Sequence, residues 1–374
     1  MKLLRYLLVL FLCSCQNHEN LNPIESALQS KNSHIQDVVK QIDEYDVQIM
    51  LSKIHRKDNQ IQFEDFEFQV NDSVYFYPAS TVKLPVAILA LEKLNQQDSI
   101  SIDTPFFVEG DSITTTFRKD IMDIFAVSSN DTYNRLFEFL GKDNINNPLN
   151  DKDIVPTRIS HRLSTDNAYE LVTKPLIFSK NDSTLFTTQH IYNSEIKPLK
   201  LEHIKKGIGH YSKGQLISEP MDFSLKNYFP IRAQHEVLKR VFFPETFESH
   251  QRFNLSSQQY EFLREAMAIL PKTIGYDPKT YYDSYVKFFM FGDSKKPIPS
   301  HIKIYNKVGY AYGYLTDNAY IIDTKNNVEF ILTATIHVNA NEIYNDDTYE
   351  YETLGIPFLA ALGREIHHQI MSNK

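Results

Sequence analysis

Strand-forming sequence sits at the two ends of this chain, and helix-forming sequence lies between. Val47–Ile54 and Ile61–Val70 read as strands, the second alternating apolar and acidic residues over IQFEDFEFQV, with Arg56-Lys57-Asp58-Asn59 as the turn. Residues 302–308, 314–323 and 327–338 read as three consecutive strands near the other end. The expected fold class is therefore α/β of the α+β kind: an antiparallel sheet built from both termini, flanked by helices, with a helical lobe inserted in the middle.

The helical pattern covers 33–43, 165–178, 257–270 and a closing helix over 354–371. LPVAILALEKL, beginning at Leu84, is apolar nearly all round and is expected to be buried. Lys119–Leu140 reads as two short helices meeting at Ser128-Ser129-Asn130-Asp131, a run of good N-cap residues. Residues 180–300 are rich in Lys and Pro loops and read as an extra insertion.

Composition narrows the class. With 374 residues, 42% hydrophobic and 23% charged, the chain can bury a large core and reads as globular. A net charge of −8 argues against nucleic acid as a partner. A monomer is expected.

Both cysteines, Cys13 and Cys15, lie at the start. Lys2 and Arg5 precede an apolar run of about nine residues, too short to span a bilayer and fitting a secretory signal peptide. Leu12-Cys13-Ser14-Cys15 resembles a bacterial lipobox, in which Cys15 is the lipidated residue; incidental cysteines in a plain signal peptide are the alternative. The expected order is a signal peptide over 1–15, a tether over 16–32 and a body over 33–374. That body is exported, lies in the cell envelope facing the periplasm, and touches the membrane only through its lipid.

Three short patterns can carry chemistry. A serine hydroxyl is a weak nucleophile and needs a base within hydrogen-bond reach, which a lysine one helical turn away supplies. Ser80-Thr81-Val82-Lys83 opens the apolar helix with that spacing. Its dipole and free N–H groups favour an oxyanion. Ser-x-x-Lys also occurs at Ser194, Ser284 and Ser300, away from such a helix. Ser128-Ser129-Asn130 can relay a proton and hold a carbonyl, or simply cap a helix. Lys307-Val308-Gly309 ends a strand, where a lysine brings charge and a glycine lets a substrate backbone approach. No helical His-x-x-x-His and no Gly-rich phosphate loop is present, so neither a metal nor a cofactor is expected. Asp346-Asp347 reads as a polar turn rather than a cation site. EPMDFSLKN, Glu219 to Asn227, either lines the site or docks the insertion.

Taken in order, Ser-x-x-Lys, Ser-x-Asn and Lys-x-Gly resemble the signature of the penicillin-recognising serine enzymes, the superfamily of class A β-lactamases and D-alanyl-D-alanine peptidases. SSNDTYNRL, with a later Asn134, and NKVGYAYGYLTDNAYI extend the resemblance. It implies the β-lactamase/transpeptidase-like fold and amide hydrolysis of a β-lactam or a cell-wall peptide through an acyl-Ser80 intermediate. Lys83 would be the base or relay. Ser128 would pass the proton to the leaving nitrogen, and Asn130 would hold the substrate amide. Lys307 would anchor a substrate carboxylate. The amides of Ser80 and Tyr310 would form the oxyanion hole.

The sequence departs from the family in three places. Ser129 replaces an aspartate, and Val308 replaces a threonine or serine whose hydroxyl helps bind a carboxylate. In VPTRISHRLSTDNAYE the deacylating glutamate position falls near Leu163, with Asp166, Glu170 and His161 as candidate substitutes. A binding lipoprotein without catalysis is the rival reading.

Overall fold

The computed structural model describes residues 22–58, 60–97, 99–181 and 183–372. Cys13, Cys15, the expected signal peptide and the first part of the expected tether lie outside the described residues.

The two ends do share one sheet. Its strand order is Ile302–Ala311, Tyr314–Asp323, Val328–His337, Gln48–Lys57, Gln60–Phe68, all antiparallel, with Gln48 facing Thr335 where the termini meet. Period-two alternation divides the side chains. Phe330, Leu332, Ala334 and Ile336 enter the core beneath the C-terminal helix, while Ile331 faces the helical lobe. Each such Leu, Ile or Phe contributes ~1.5–3 kcal/mol on burial.

Helices α1 (Pro23–Leu28) and α2 (Ser33–Val39) open the described chain, capped by the side chains of Asn22 and Asn32. Residues 16–32 read as a tether plus the start of a helix, and helical structure is present from Pro23. Ile24, Ala27 and Leu28 are buried, so this part of the expected tether packs instead of trailing.

The lobe contains α3 (Lys83–Leu94), α4 (Phe117–Val127), α5 (Asn130–Leu140) and α6 (Lys142–Asp151). Helix α3 is buried on every side, as its all-round apolarity requires. Helices α7 (Ile231–Phe242) and α8 (Ser257–Ala268) follow, and α9 (Ile356–Ser372) closes the chain. Helices α1 and α2 pack on α9, and α7 lies on the sheet. The stretch expected as one insertion thus divides: residues 183–222 add short strands, whereas α7 and α8 are part of the core.

Residues 165–178 are not helical but form turns leading to a strand at Leu176–Lys180. The buried Arg162 guanidinium captures the carbonyls of Asn167, Glu170 and Val172 at 3.3, 2.9 and 3.3 Å, which removes them from any helical ladder.

Candidate active site

Three elements meet at the site. The first is the segment entering α3. Tyr75, Phe76 and Tyr77 are buried in an aromatic cluster, and Ala79 follows Pro78 at φ +47°, an unusual value for a residue with a Cβ. Ser80 lies in a single 3-10 turn, Ala79–Val82, rather than in the first α-helical turn, and Lys83 begins α3. In 3-10 geometry residues three apart eclipse, which sets Lys83 more directly over Ser80 than an α-turn would.

The second is the α4–α5 junction. Ser128 is left-handed at φ +57°, and the N-cap of α5 is Ser129, whose Oγ accepts from the Thr132 amide. Capping therefore belongs to Ser129, and the Ser128 hydroxyl is free for other partners. Lys307 Nζ donates to it at 2.8 Å, and Lys83 Nζ lies 3.4 Å away. Lys83 Nζ also donates to the Ser128 carbonyl at 2.5 Å and to Asn130 Oδ1 at 2.7 Å.

The third is the lysine strand, Ile302–Ala311. Lys307 is buried and also donates to its neighbour's carbonyl, Val308 O, at 2.8 Å. Behind it, Asp317 accepts from Phe288 N, Phe289 N and Asn306 Nδ2 at 2.9, 3.1 and 2.8 Å. The buried Lys287 donates to Asn306 Oδ1 at 2.9 Å. Burial pushes the Lys307 ammonium down to about 7, with Asp317 opposing and Lys287 assisting. Burial, aided by Lys307, holds Lys83 well below the ordinary lysine range. Two lysines inclined to be neutral thus bracket one hydroxyl, an arrangement suited to moving protons.

Gly309 has a packing role that the sequence did not reveal. It is where the strand meets the Ser80 turn: an added Cβ would lie 2.5 Å from Pro78 O, 2.8 Å from Ser80 N and 2.9 Å from Thr81 N. Tyr310, the next residue, is half exposed and lines the same cavity as Ser80. Val308 turns away from that cavity into the apolar layer under α9.

The cavity has a volume of about 660 Å³. Ser80, Asn130, Tyr77, Tyr169, Tyr310, Tyr349 and Asp347 are among the residues that line it. Asp346 does not join them; it accepts from Asn341 Nδ2 and the Thr348 amide in a surface turn.

The loop after α6 closes one side. Arg162 is fixed by Glu138 at 2.6 Å, and Asn134 grips Leu163 through both main-chain groups at 2.9 and 2.8 Å. Of the three candidate substitutes for a deacylating base, Asp166 and Glu170 are exposed and do not line the cavity. His161 does line it, but is buried, its Nδ1 lies 2.6 Å from Arg162 O, and burial pushes its imidazole down to about 3. Leu163 is buried, and Ser164 takes the position facing the site, its Oγ accepting from Asn130 Nδ2 at 2.9 Å. Sequence reasoning passed over Ser164 because its hydrogen bond to Asn130 spans 34 residues and leaves no local pattern. It also missed Lys287 and Asp317, which are linked through Asn306 from separate segments and so have no local signature.

Residues 31–192 match the model of the beta-lactamase enzyme family. This stretch carries Ser80, Lys83, Ser128 and Asn130. The chain as a whole has the β-lactamase/transpeptidase-like fold. It superposes with a TM-score of 0.54 on PBP-A, at 11% identity, covering 93% of this chain and 95% of that one. On L2 complexed with relebactam the TM-score is 0.52 at 14% identity, covering 92% and 98%. On a beta-lactamase from Sphaerobacter thermophilus it is 0.50 at 11% identity, covering 92% and 94%. No curated protein matches the chain.

Proposed function

We propose that this protein is a serine hydrolase that cleaves an amide, in a β-lactam or a related envelope peptide, through an acyl-Ser80 intermediate. The observation that carries the reading is the bracketing of Ser128 Oγ by the two depressed lysines, 2.8 Å from Lys307 and 3.4 Å from Lys83. Lys83, when neutral, takes the Ser80 proton as Oγ attacks the carbonyl. The amides of Ser80 and Tyr310 receive the oxyanion. Ser128 delivers a proton to the leaving nitrogen and is resupplied by Lys307 or Lys83. A module that only binds has no use for this relay.

The same reading makes deacylation slow. Among the described residues the one carboxylate lining the cavity is Asp347, and Ser164 occupies the loop position that faces Asn130. A persistent acyl-enzyme, as in penicillin-binding peptidases, is favoured over rapid β-lactam turnover. The proposal includes an envelope location with the body tethered through a lipid on Cys15; palmitate labelling lost in Cys15→Ala tests that part.

Intact-protein mass spectrometry after exposure to a penicillin tests the chemistry. A stable adduct absent from Ser80→Ala is the expected result. Rapid drug loss without an adduct would mean efficient deacylation. Neither adduct nor loss would overturn β-lactam recognition and favour the binding-lipoprotein reading.

A further inference from the structure

Glu219–Asn227 belongs to the part of the chain that the relay does not use, yet it is fastened to the active-site loop. Arg158 Nη2 donates to Ser224 O at 2.8 Å and also to Lys226 O. Arg158 and Tyr228 exchange main-chain bonds at 2.7 Å in each direction. The buried Asn227 Oδ1 accepts from Ser160 N at 2.7 Å. The segment therefore docks the insertion and, by doing so, fixes one side chain in the cavity wall. That side chain is Lys226. Its ammonium stands over two rings, 5.4 Å from the centre of Tyr169 and 5.6 Å from that of Tyr312.

Two features make this lysine a recognition group. The other cation lining the cavity, Arg162, is saturated by Glu138, whereas no carboxylate among the described residues pairs with Lys226. An unpaired ammonium held between rings at the wall of a partly enclosed cavity is pre-positioned for an anion. The direction of a bound substrate follows from the lysine strand. Lys307, Tyr310 and Tyr312 succeed one another along the strand and its turn. Tyr312 opens the turn just past the strand's end, on the side of Tyr310 away from Lys307, and so away from the Ser128–Lys307 pair assigned to the leaving nitrogen.

We infer that Lys226 anchors a carboxylate on the acyl side of the substrate, so that the protein selects amides whose acyl portion is anionic. This rests on the acyl-Ser80 reading and adds the substrate class to it.

Benzylpenicillin and carbenicillin differ by one carboxylate on the acyl side chain, so they form the matched probe. The second-order rate of adduct formation on the purified full chain is measured for both by mass spectrometry. Carbenicillin is expected to react about fivefold to tenfold faster, a margin that shrinks with salt. The ratio should fall to about one in Lys226→Met and recover in Lys226→Arg, which separates lost charge from lost folding. A ratio of one or below in the unaltered protein, or a ratio indifferent to Lys226→Met, overturns the inference. Calorimetric binding of the same pair to Ser80→Ala reads recognition without chemistry. If no adduct forms with either drug but carbenicillin binds more tightly in a Lys226-dependent way, the anchor stands and the acyl-Ser80 reading fails. Equal binding, or no binding of either, overturns the anchor.

Discussion

Gly309 and Ser80 touch backbone to backbone: a methyl group on the glycine would lie 2.8 Å from the Ser80 amide nitrogen. The other near atoms, Pro78 O and Thr81 N, are also backbone, so no side chain can swing away to make room. Gly309→Ala must push the nucleophile turn off the strand. Stability is expected to drop by about 1–3 kcal/mol. Acylation is expected to drop about a hundredfold, as when one oxyanion donor is misplaced. Thermal melting and adduct kinetics on one preparation read both, and an alanine variant with normal acylation would refute the contact.

Acylation should follow a bell-shaped pH dependence. Lys83 acts only when neutral, so the rate climbs as pH passes its depressed pKa. Lys307 contributes its proton and charge only below its own pKa, about 7, so the rate declines above that value. Lys307→Arg keeps the charge at all accessible pH and should remove the alkaline decline. If the decline persists in that variant, Lys307 is not its source.

The loop position facing Asn130 can be given a carboxylate. Ser164→Glu is expected to shorten the life of the acyl-enzyme about tenfold or more, by offering a base for water. The cost is modest: Ser164 is already left-handed at φ +51°, where any residue with a Cβ is strained by about 1–2 kcal/mol. A decay curve of the adduct, followed by mass over time, decides the matter; an unchanged lifetime would place Ser164 outside reach of the ester.

Arg162 and Glu138 form a buried, bidentate pair at 2.6 and 2.9 Å, and the guanidinium also ties three loop carbonyls. Removing the cation leaves a buried carboxylate without its counter-charge, held only by the Lys174 amide. Arg162→Ala is expected to cost about 3–5 kcal/mol in chemical denaturation. Protease cleavage should appear first within residues 163–172. Cleavage elsewhere before this loop opens would contradict its dependence on Arg162.

Stability itself should depend on pH in a calculable direction. Lys83, Lys287 and Lys307 have lowered pKa values, the last two about 8 and 7, so the unfolded chain binds more protons between those values and 10.5. Stability therefore rises with pH across that window. The buried Tyr75, Tyr77 and Tyr314 have raised values, so above pH 10 the unfolded chain loses protons first and stability falls. His161, at about 3, and His235, also lowered, remove stability as pH drops below 6.5. Melting temperatures from pH 5 to 11 should thus peak near the alkaline end of the range, and a peak at pH 6 would contradict this balance.

Much of this was legible because it is local. Alternation marked the strand at Gln60–Phe68, β-rich runs bounded by turn residues marked the other four, all-round apolarity marked α3, and the hydroxyl run marked the α4–α5 junction. The loop over 165–178 misled because its apolar spacing looks helical, while the decisive influence, Arg162 taking the carbonyls, comes from the preceding turn and from Glu138. In the site, Ser80, Lys83, Ser128, Asn130 and Lys307 were each visible as short motifs. The reason for Gly309, the split of capping between Ser128 and Ser129, and the Lys287–Asn306–Asp317 group depend on contacts between distant segments, which carry no pattern along the chain.

The strand at Gln48–Lys57 has one neighbour that follows it at once, Gln60–Phe68, and another, Val328–His337, that comes almost last. A ribosome delivers the first partner early and the second only when synthesis is nearly over. Through that interval the strand presents an open edge, and α1 and α2 have no α9 to dock on. Closing this sheet therefore waits on the strand Val328–His337, however early the first hairpin forms.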